Sequence, residues 1–173
     1  TNAVAITGDH DQLTAALVTA GTKVAVSDAT VTVNDADATA ITAAELSAIG
    51  AATTGTVTVT NAIDITGTTA EVTAALVTAA TKVEVSDATV TLTDVHTQDQ
   101  LAAIDAATTG AITLAVTNGA LSGTAADLVA AFAGIVTEYT GNIEINDVAG
   151  TAIQASDLAS IGSATTGTVT IAN

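Results

Sequence analysis

The sequence predicts an α/β solenoid of about six strand-strand-helix coils, each of about 29 residues. Two observations support this fold class: the chain repeats itself at an interval of about 57 residues, and within each repeat the spacing of apolar residues changes from two to three or four. A unit of this size cannot bury its apolar face alone, so neighbouring coils must stack. We therefore expect residues 1–173 to form a single repeat domain.

Whole phrases recur along the chain. The opening phrase TNAVAITG at 1–8 returns as TNAIDITG at 60–67 and, one residue shorter, as TNGALSG at 117–123. The first two copies also share TAALVTAGTKVAVSDATVTV at 14–33 and TAALVTAATKVEVSDATVTL at 73–92. These matches predict three super-repeats, at approximately 2–60, 61–117 and 118–173.

Six helices are predicted from pairs of large apolar residues three or four positions apart, which fall on one helical face. The pairs are Leu13 with Leu17, Leu46 with Ile49, Val72 with Leu76, Leu101 with Ile104, Leu128 with Phe132, and Leu158 with Ile161. The capping candidates are Asp9, Thr68 or Thr69, Thr124 and Ser156. The TTG tracts at 53–55, 108–110 and 165–167 are typical of helix C-termini, with glycine beyond the last turn.

Strands are predicted where apolar and small polar residues alternate, as in KVAVSDATVTV, GTVTVT and GNIEIN. The SDA segments at 27–29 and 86–88 and the TNA segments interrupt this alternation. We expect them to be corners between two short strands of one coil. Each coil then runs strand, corner, strand, helix.

The composition argues against an enzyme and against several binding functions. Alanine (40) and threonine (36) dominate, and the chain has two lysines, no arginine, two histidines and no cysteine. Few side chains remain for nucleophile and base pairs or for histidine-rich metal sites, so we predict no catalytic, cofactor-binding or metal residues. A net charge of -16 repels nucleic acid and anionic membrane surfaces, and no apolar run is long enough to span a bilayer.

Several recurrent polar residues remain as weaker candidates. Asp28, Asp87 and Asp147 are predicted to share one corner position, with Asp35 and Asp94 seven residues after the first two. Carboxylates from adjacent coils are suitable calcium ligands, although aspartate is also common in turns. His10 and His96 each precede a helix without a second histidine nearby, which favours a solvent-exposed helix start over a metal site. Lys23 and Lys82 are repeat equivalents that could pair with carboxylates such as Glu84.

Regular Thr-x-Thr segments are typical of ice-binding β-solenoids, so the outward positions need inspection. Aligning the first strand of each coil places a charged residue there in every second coil: Lys23, then Lys82 and Glu84, then Glu144. A flat ice-matching face does not tolerate this interruption, and threonine is in any case suited to a solvated strand. Ice binding is the less favoured hypothesis.

The two ends of the chain lie at one phase of the repeat. Asn2, Asn61, Asn118 and Asn173 are equivalent, Thr1 is not a methionine, and neither end carries an atypical capping sequence. Solenoids normally need polar terminal caps. We therefore expect either a block from a longer array or a subunit that stacks head to tail on copies of itself.

The phrases quoted above, most clearly SDATVTVNDADATAITAAELSAIGAATTGTVTVTNA at 27–62, resemble the tandem repeats of giant bacterial cell-surface proteins, especially those of marine cyanobacteria. The resemblance extends over essentially the whole chain. It implies a secreted, extracellular array that serves as a stalk, adhesin shaft or surface layer. The alternatives are a subunit that stacks into an extracellular filament and a calcium- or glycan-binding adhesin module.

Overall fold

The computed structural model describes residues 4–172, and within them the chain is a mixed α/β fold with three small parallel sheets and six α-helices. Asn2 and Asn173, two of the residues used to set the repeat phase, lie outside the described residues. The helices are α1 (His10–Leu13), which continues as a π-helical segment (Thr14–Val18), α2 (Ala43–Gly50), α3 (Thr69–Leu76), α4 (Gln98–Asp105), α5 (Ala125–Phe132) and α6 (Ala155–Ala164).

All eleven strands pair in parallel. They are β1 (Ala5–Gly8), β2 (Thr30–Val33), β3 (Ala40–Thr42), β4 (Val57–Val59), β5 (Asp64–Gly67), β6 (Val83–Glu84), β7 (Thr89–Leu92), β8 (Ile112–Leu114), β9 (Leu121–Gly123), β10 (Ile143–Ile145) and β11 (Val169–Ile171). The first sheet has the order β1-β2-β4-β6, the second β3-β5-β7-β8 and the third β9-β10-β11. Parallel pairing requires a long crossover between partners, and in most cases one helix supplies it.

The sheets follow the sequence repeat. The equivalent strands of the three super-repeats form three triplets, β1-β2-β4, β5-β7-β8 and β9-β10-β11, and each triplet lies in a different sheet. The sheets also interleave, because β3 of the first super-repeat joins the second sheet and β6 of the second joins the first. The boundary between the first two super-repeats is therefore bridged by strand pairing, whereas the third sheet contains strands of the third super-repeat alone.

The predicted order of strand, strand and helix is found four times, as β2-β3-α2, β4-β5-α3, β6-β7-α4 and β8-β9-α5. We call one helix with the strand or strands before it a layer. The first and last helices each follow a single strand, β1 and β10. Residues 23–26 and 152–154 are the repeat equivalents of β6 and β3, yet neither is a strand. Each lacks a neighbouring strand to pair with in the described part of the chain.

One continuous core extends from Leu13 to Ile161. Each of the six predicted helices is present, and ten of the twelve residues that predicted them are buried; the exceptions are Phe132 and Leu158, which are partly buried. The core consists mainly of small aliphatic side chains and contains one fully buried ring, that of Tyr139.

The helix caps confirm most of the predicted positions. Asp9, Thr68 and Thr124 each accept a hydrogen bond from the backbone N–H three residues later. The Thr68 hydroxyl and backbone N–H in turn donate to Glu71, and this capping box lowers the pKa of the Glu71 carboxyl. The prediction for Ser156 is wrong, because α6 begins at Ala155 and its N-cap, Gln154, lies two residues before Ser156 and makes no side-chain capping bond.

Candidate functional site: layer contacts and open ends

The TTG tracts join consecutive layers. In the tract at 108–110, the buried Thr108 hydroxyl donates to the Ala88 carbonyl at 2.7 Å and accepts from the Gly110 N–H at 3.0 Å. Thr109 donates both its N–H and its hydroxyl to the Ser86 carbonyl. The tracts at 53–55 and 165–167 make the same contacts with the layer that precedes them in the chain.

The glycine of each tract is required for a reason that the sequence pattern did not indicate. Helices end just before the tracts, as predicted, but the tract glycines do not have a left-handed backbone. Among the described residues, that conformation is found only at Ala38 and Gly150. Each tract glycine instead lies against a backbone carbonyl of the preceding layer. A Cβ on Gly110, for example, would overlap the Ala88 carbonyl. Gly55 and Gly167 have equivalent contacts with Ala29 and Gly141.

Carboxylates also bridge layers. Asp35, Asp94 and Asp147 each accept a hydrogen bond from the backbone N–H of the first residue of a helix in the preceding layer: His10, Thr69 and Ala125 respectively. These N–H groups have no partner within their own helix, and a carboxylate at a helix N-terminus is electrostatically favourable. The bond from Thr69 lowers the pKa of Asp94.

This arrangement corrects the predicted grouping of the aspartates. Asp147 belongs with Asp35 and Asp94, not with Asp28 and Asp87, because it lies just after a sheet strand and caps a helix. Asp28 and Asp87 instead accept bonds from the neighbouring hydroxyls of Ser27 and Ser86 at the SDA corners. Within residues 4–172, no three metal-binding side chains meet in one group.

The two histidines occupy different environments. His10 is partly buried and its Nδ1 lies 2.7 Å from Asp35. Desolvation opposes the charged ring, but the hydrogen bond and negative charge of Asp35 outweigh it and raise the pKa of His10. His96 is buried with its ring 5.9 Å from that of Tyr139, and this burial lowers its pKa despite the nearby Asp94. The expectation of a solvent-exposed His96 is wrong, because the third super-repeat places a tyrosine ring against it.

These opposite shifts predict opposite contributions to stability as the pH changes. Folded His96 resists protonation, so the unfolded chain takes up the proton first and His96 lowers the free energy of unfolding as the pH falls below 6.5. Folded His10 holds its proton, so its stabilising contribution is complete below 6.5 and is lost as the pH rises through its raised pKa. We expect urea midpoints to fall more steeply on acidification in His10→Asn and less steeply in His96→Asn than in the original protein.

Measurements between about pH 8 and pH 5.5 separate the histidines from the carboxylates, which titrate at lower pH. The double variant provides the control, because its midpoint loses both histidine contributions. If both single variants changed the pH dependence of the urea midpoint in the same direction, the opposite pKa shifts assigned to His10 and His96 would be contradicted.

Neither lysine forms an ion pair within residues 4–172, and two outward threonines lie beside glutamates in the sheets. The ion pairs of residues 4–172 both belong to His10, so the suggested pair between Lys82 and Glu84 does not form. In the sheets, Thr58 lies directly beside Glu84, and Thr170 lies directly beside Glu144. The predicted interruption of the threonine array by charge is thus present between adjacent strands.

A shallow groove of about 550 Å³ lies along the third sheet. Its polar lining comes from Ser122, Asn142, Glu144, Thr168 and Thr170. A second groove, lined by residues 50–55 at the end of α2, is flanked by Ala79, Ala80 and Lys82 of the next layer. Both are open surface features between strands or layers, and each contains a single charged side chain.

Near both ends of the described chain, some residues are exposed although their repeat equivalents are buried. Val24 is 59% exposed, whereas its equivalent in the second super-repeat, Val83, is 1% exposed. At the other end Ile171 is 51% exposed, whereas its equivalent Val59 is 4% exposed. In the described part of the chain, β1 and β11 are outermost strands of their sheets, with one edge unpaired. Exposed edges of this kind are surfaces on which a further strand can pair.

Comparison with protein-family models, curated proteins and solved structures found no match to this chain. In residues 4–172, none of the helices combines the length and the apolar character needed to cross a bilayer.

Proposed function

We propose that this chain is a non-catalytic structural module of an extracellular repeat array, built as a solenoid that continues from one block of three super-repeats to the next. The observation that carries the proposal is the interleaving of the first two sheets, in which β3 and β6 cross the boundary between the first two super-repeats to pair with strands on its other side. A boundary built in this way can be repeated without limit. Such a module supplies length and spacing to a stalk, shaft or surface layer.

The surface chemistry supports the same role. A net charge of -16 keeps the arrays soluble and mutually repulsive side by side, and two lysines without arginine leave trypsin-like proteases few cleavage sites. The Thr108 hydroxyl and the carboxylates of Asp35, Asp94 and Asp147 are used in contacts between layers. The proposal therefore assigns the recurrent polar residues to the cohesion of the stack.

A covalent tandem tests this function. In sequence, Asn173 is equivalent to Asn61 and Ala3 to Ala62, so joining Ala3 of a second copy directly to Asn173 keeps the repeat in phase. At about 4.8 Å per layer, six layers extend about 30 Å. In small-angle scattering we expect the tandem to be longer by about that amount, with an unchanged cross-sectional radius of gyration.

A matched tandem with four extra residues at the joint provides the control, because it breaks the phase of the repeat. We expect the in-phase tandem to unfold at a higher urea concentration than the control, since it gains one complete layer interface. A compact tandem whose cross-section grows in place of its length would overturn the proposed function.

A further inference from the structure

The interior boundary between the first two super-repeats shows how two copies of this sequence fit together. Val57 of β4 lies beside Val83 of β6, and Ile41 of β3 lies beside Ile65 of β5. Gly50 lies against the backbone carbonyl of Thr81, where a Cβ would overlap the oxygen. Two strand pairs and one glycine contact thus define the boundary.

The N-terminal end of the chain carries the residues that the second super-repeat contributes to this boundary, and their partners are not among the described residues. Ile6 is equivalent to Ile65, Thr22 to Thr81 and Val24 to Val83. Ile6 is only partly buried, and Thr22 and Val24 are exposed. The segment at 23–26 has nearly the same sequence as the one that forms β6, but it is not a strand here.

The C-terminal end carries the residues that the first super-repeat contributes to this boundary. Ile153 is equivalent to Ile41, Gly162 to Gly50 and Val169 to Val57. Ile153 and Val169 are partly buried, whereas their interior equivalents are 2% and 1% exposed. The two ends are therefore complementary halves of one interface that already exists inside the molecule.

Gly162 points independently to an occupant at this end. It lies in the interior of α6, where glycine is a poor helix former, and no described atom lies within 4 Å of a Cβ built on it. Neither a left-handed backbone nor a close contact in this chain requires a glycine there. A glycine is needed at this position only when a backbone carbonyl equivalent to that of Thr81 approaches it. In another copy of the chain, that carbonyl belongs to Thr22.

We propose that a second copy of this chain docks end to end, with its residues 22–26 against Gly162 and β11 of the first copy. This inference rests on the proposed solenoid and goes beyond it, because it requires association between separate chains. Val24 of the incoming copy pairs with Val169 and extends the third sheet. Residues 152–154 pair in turn with β1 of the incoming copy and extend its first sheet, so each copy completes a sheet of the other.

The charges at the contact favour this orientation. Lys82 lies beside residues 50–52, at the C-terminal end of α2, where the last carbonyls carry partial negative charge. Docking places the equivalent Lys23 beside the C-terminal end of α6. The large net negative charge opposes approach at long range, and salt screens that repulsion. We therefore expect association to strengthen between low salt and about 0.3 M NaCl.

Sedimentation velocity over a range of protein concentrations tests the proposal with one variant at each end. Gly162→Ala blocks the approach of the Thr22 carbonyl, and we expect it to abolish association while raising the urea midpoint of the monomer. Val24→Asp places an unpaired charge in the buried pair, and we expect it to weaken association by at least about 100-fold. Gly21→Ala is the matched control, because its interior equivalent is already alanine, Ala80.

Mixing the two blocked variants gives the sharpest result. Val24→Asp retains an intact C-terminal end and Gly162→Ala an intact N-terminal end, so we expect the mixture to form 1:1 dimers and nothing longer. Monomers at every concentration of the original protein, or association of Gly162→Ala equal to that of the original, would overturn the docking. If the covalent tandem lengthens but separate chains stay monomeric, the docking fails and the proposed function stands.

Discussion

Replacing Gly110 with alanine is expected to lower the free energy of unfolding by about 3 kcal/mol or more. The new Cβ would overlap the Ala88 carbonyl, and this oxygen belongs to the backbone just before β7, which cannot move without disturbing its pairing with β5 and β8. The shift also breaks the bond that Thr108 donates to the same carbonyl. Urea unfolding followed by far-UV circular dichroism measures the loss.

Gly21→Ala is the matched control for the Gly110 variant. Gly21 is exposed, with no described atom near a built Cβ, so alanine there leaves stability unchanged or slightly raised. Equal effects at the two positions would show that the close approach of layers at the TTG tract is not what requires glycine.

Replacing Tyr139 with alanine is expected to cost about 3–5 kcal/mol, the usual range for removing a buried ring. Tyr139 is the largest fully buried side chain, its ring lies 5.5 Å from that of Phe132, and its hydroxyl donates to the Gly119 carbonyl at 3.0 Å. The cavity would lie beside the rings of Phe132 and His96, which would lose their contact with the tyrosine ring.

Tyr139→Phe separates the two contributions of this residue. It keeps the ring and removes only the hydroxyl, so the expected cost is about 1 kcal/mol, that of one buried hydrogen bond. Urea midpoints of the two variants measure the difference. A phenylalanine variant as unstable as the alanine variant would show that the hydrogen bond, not the ring, holds this region.

The periodicity of the sequence was sufficient to predict the helices. The pairs beginning at Leu13, Leu46 and Leu101 lie on buried helical faces because a spacing of three or four residues admits few other structures. The caps at Asp9, Thr68 and Thr124 followed from local chemistry within one helical turn. Local patterns of this kind depend on neighbours in the chain, which a sequence displays directly.

The errors came from contacts between layers. The cap predicted at Ser156 is an exception, because the N-cap of α6 lies two residues earlier in the chain, at Gln154. His96 was expected at the surface, and Asp147 was grouped with the wrong aspartates, because their partners Tyr139 and Ala125 lie more than twenty residues away in sequence. Counting back from the closing asparagine would have avoided this error, because Asp147 stands as far before Asn173 as Asp35 stands before Asn61.

By itself the sequence determined the repeat, the six helices, the alternating strands and the acidic, chemically sparse surface, since each of these depends on residue type and short-range spacing. The tertiary structure decided which strand pairs with which, and therefore how the first two sheets interleave across the boundary between the first two super-repeats. It also showed that the glycines at 55, 110 and 167 are required by carbonyls of the preceding layer, whereas Gly162 faces open space. The physical reason is that close approach between backbones depends on the register of the stack, which emerges only when the layers pack.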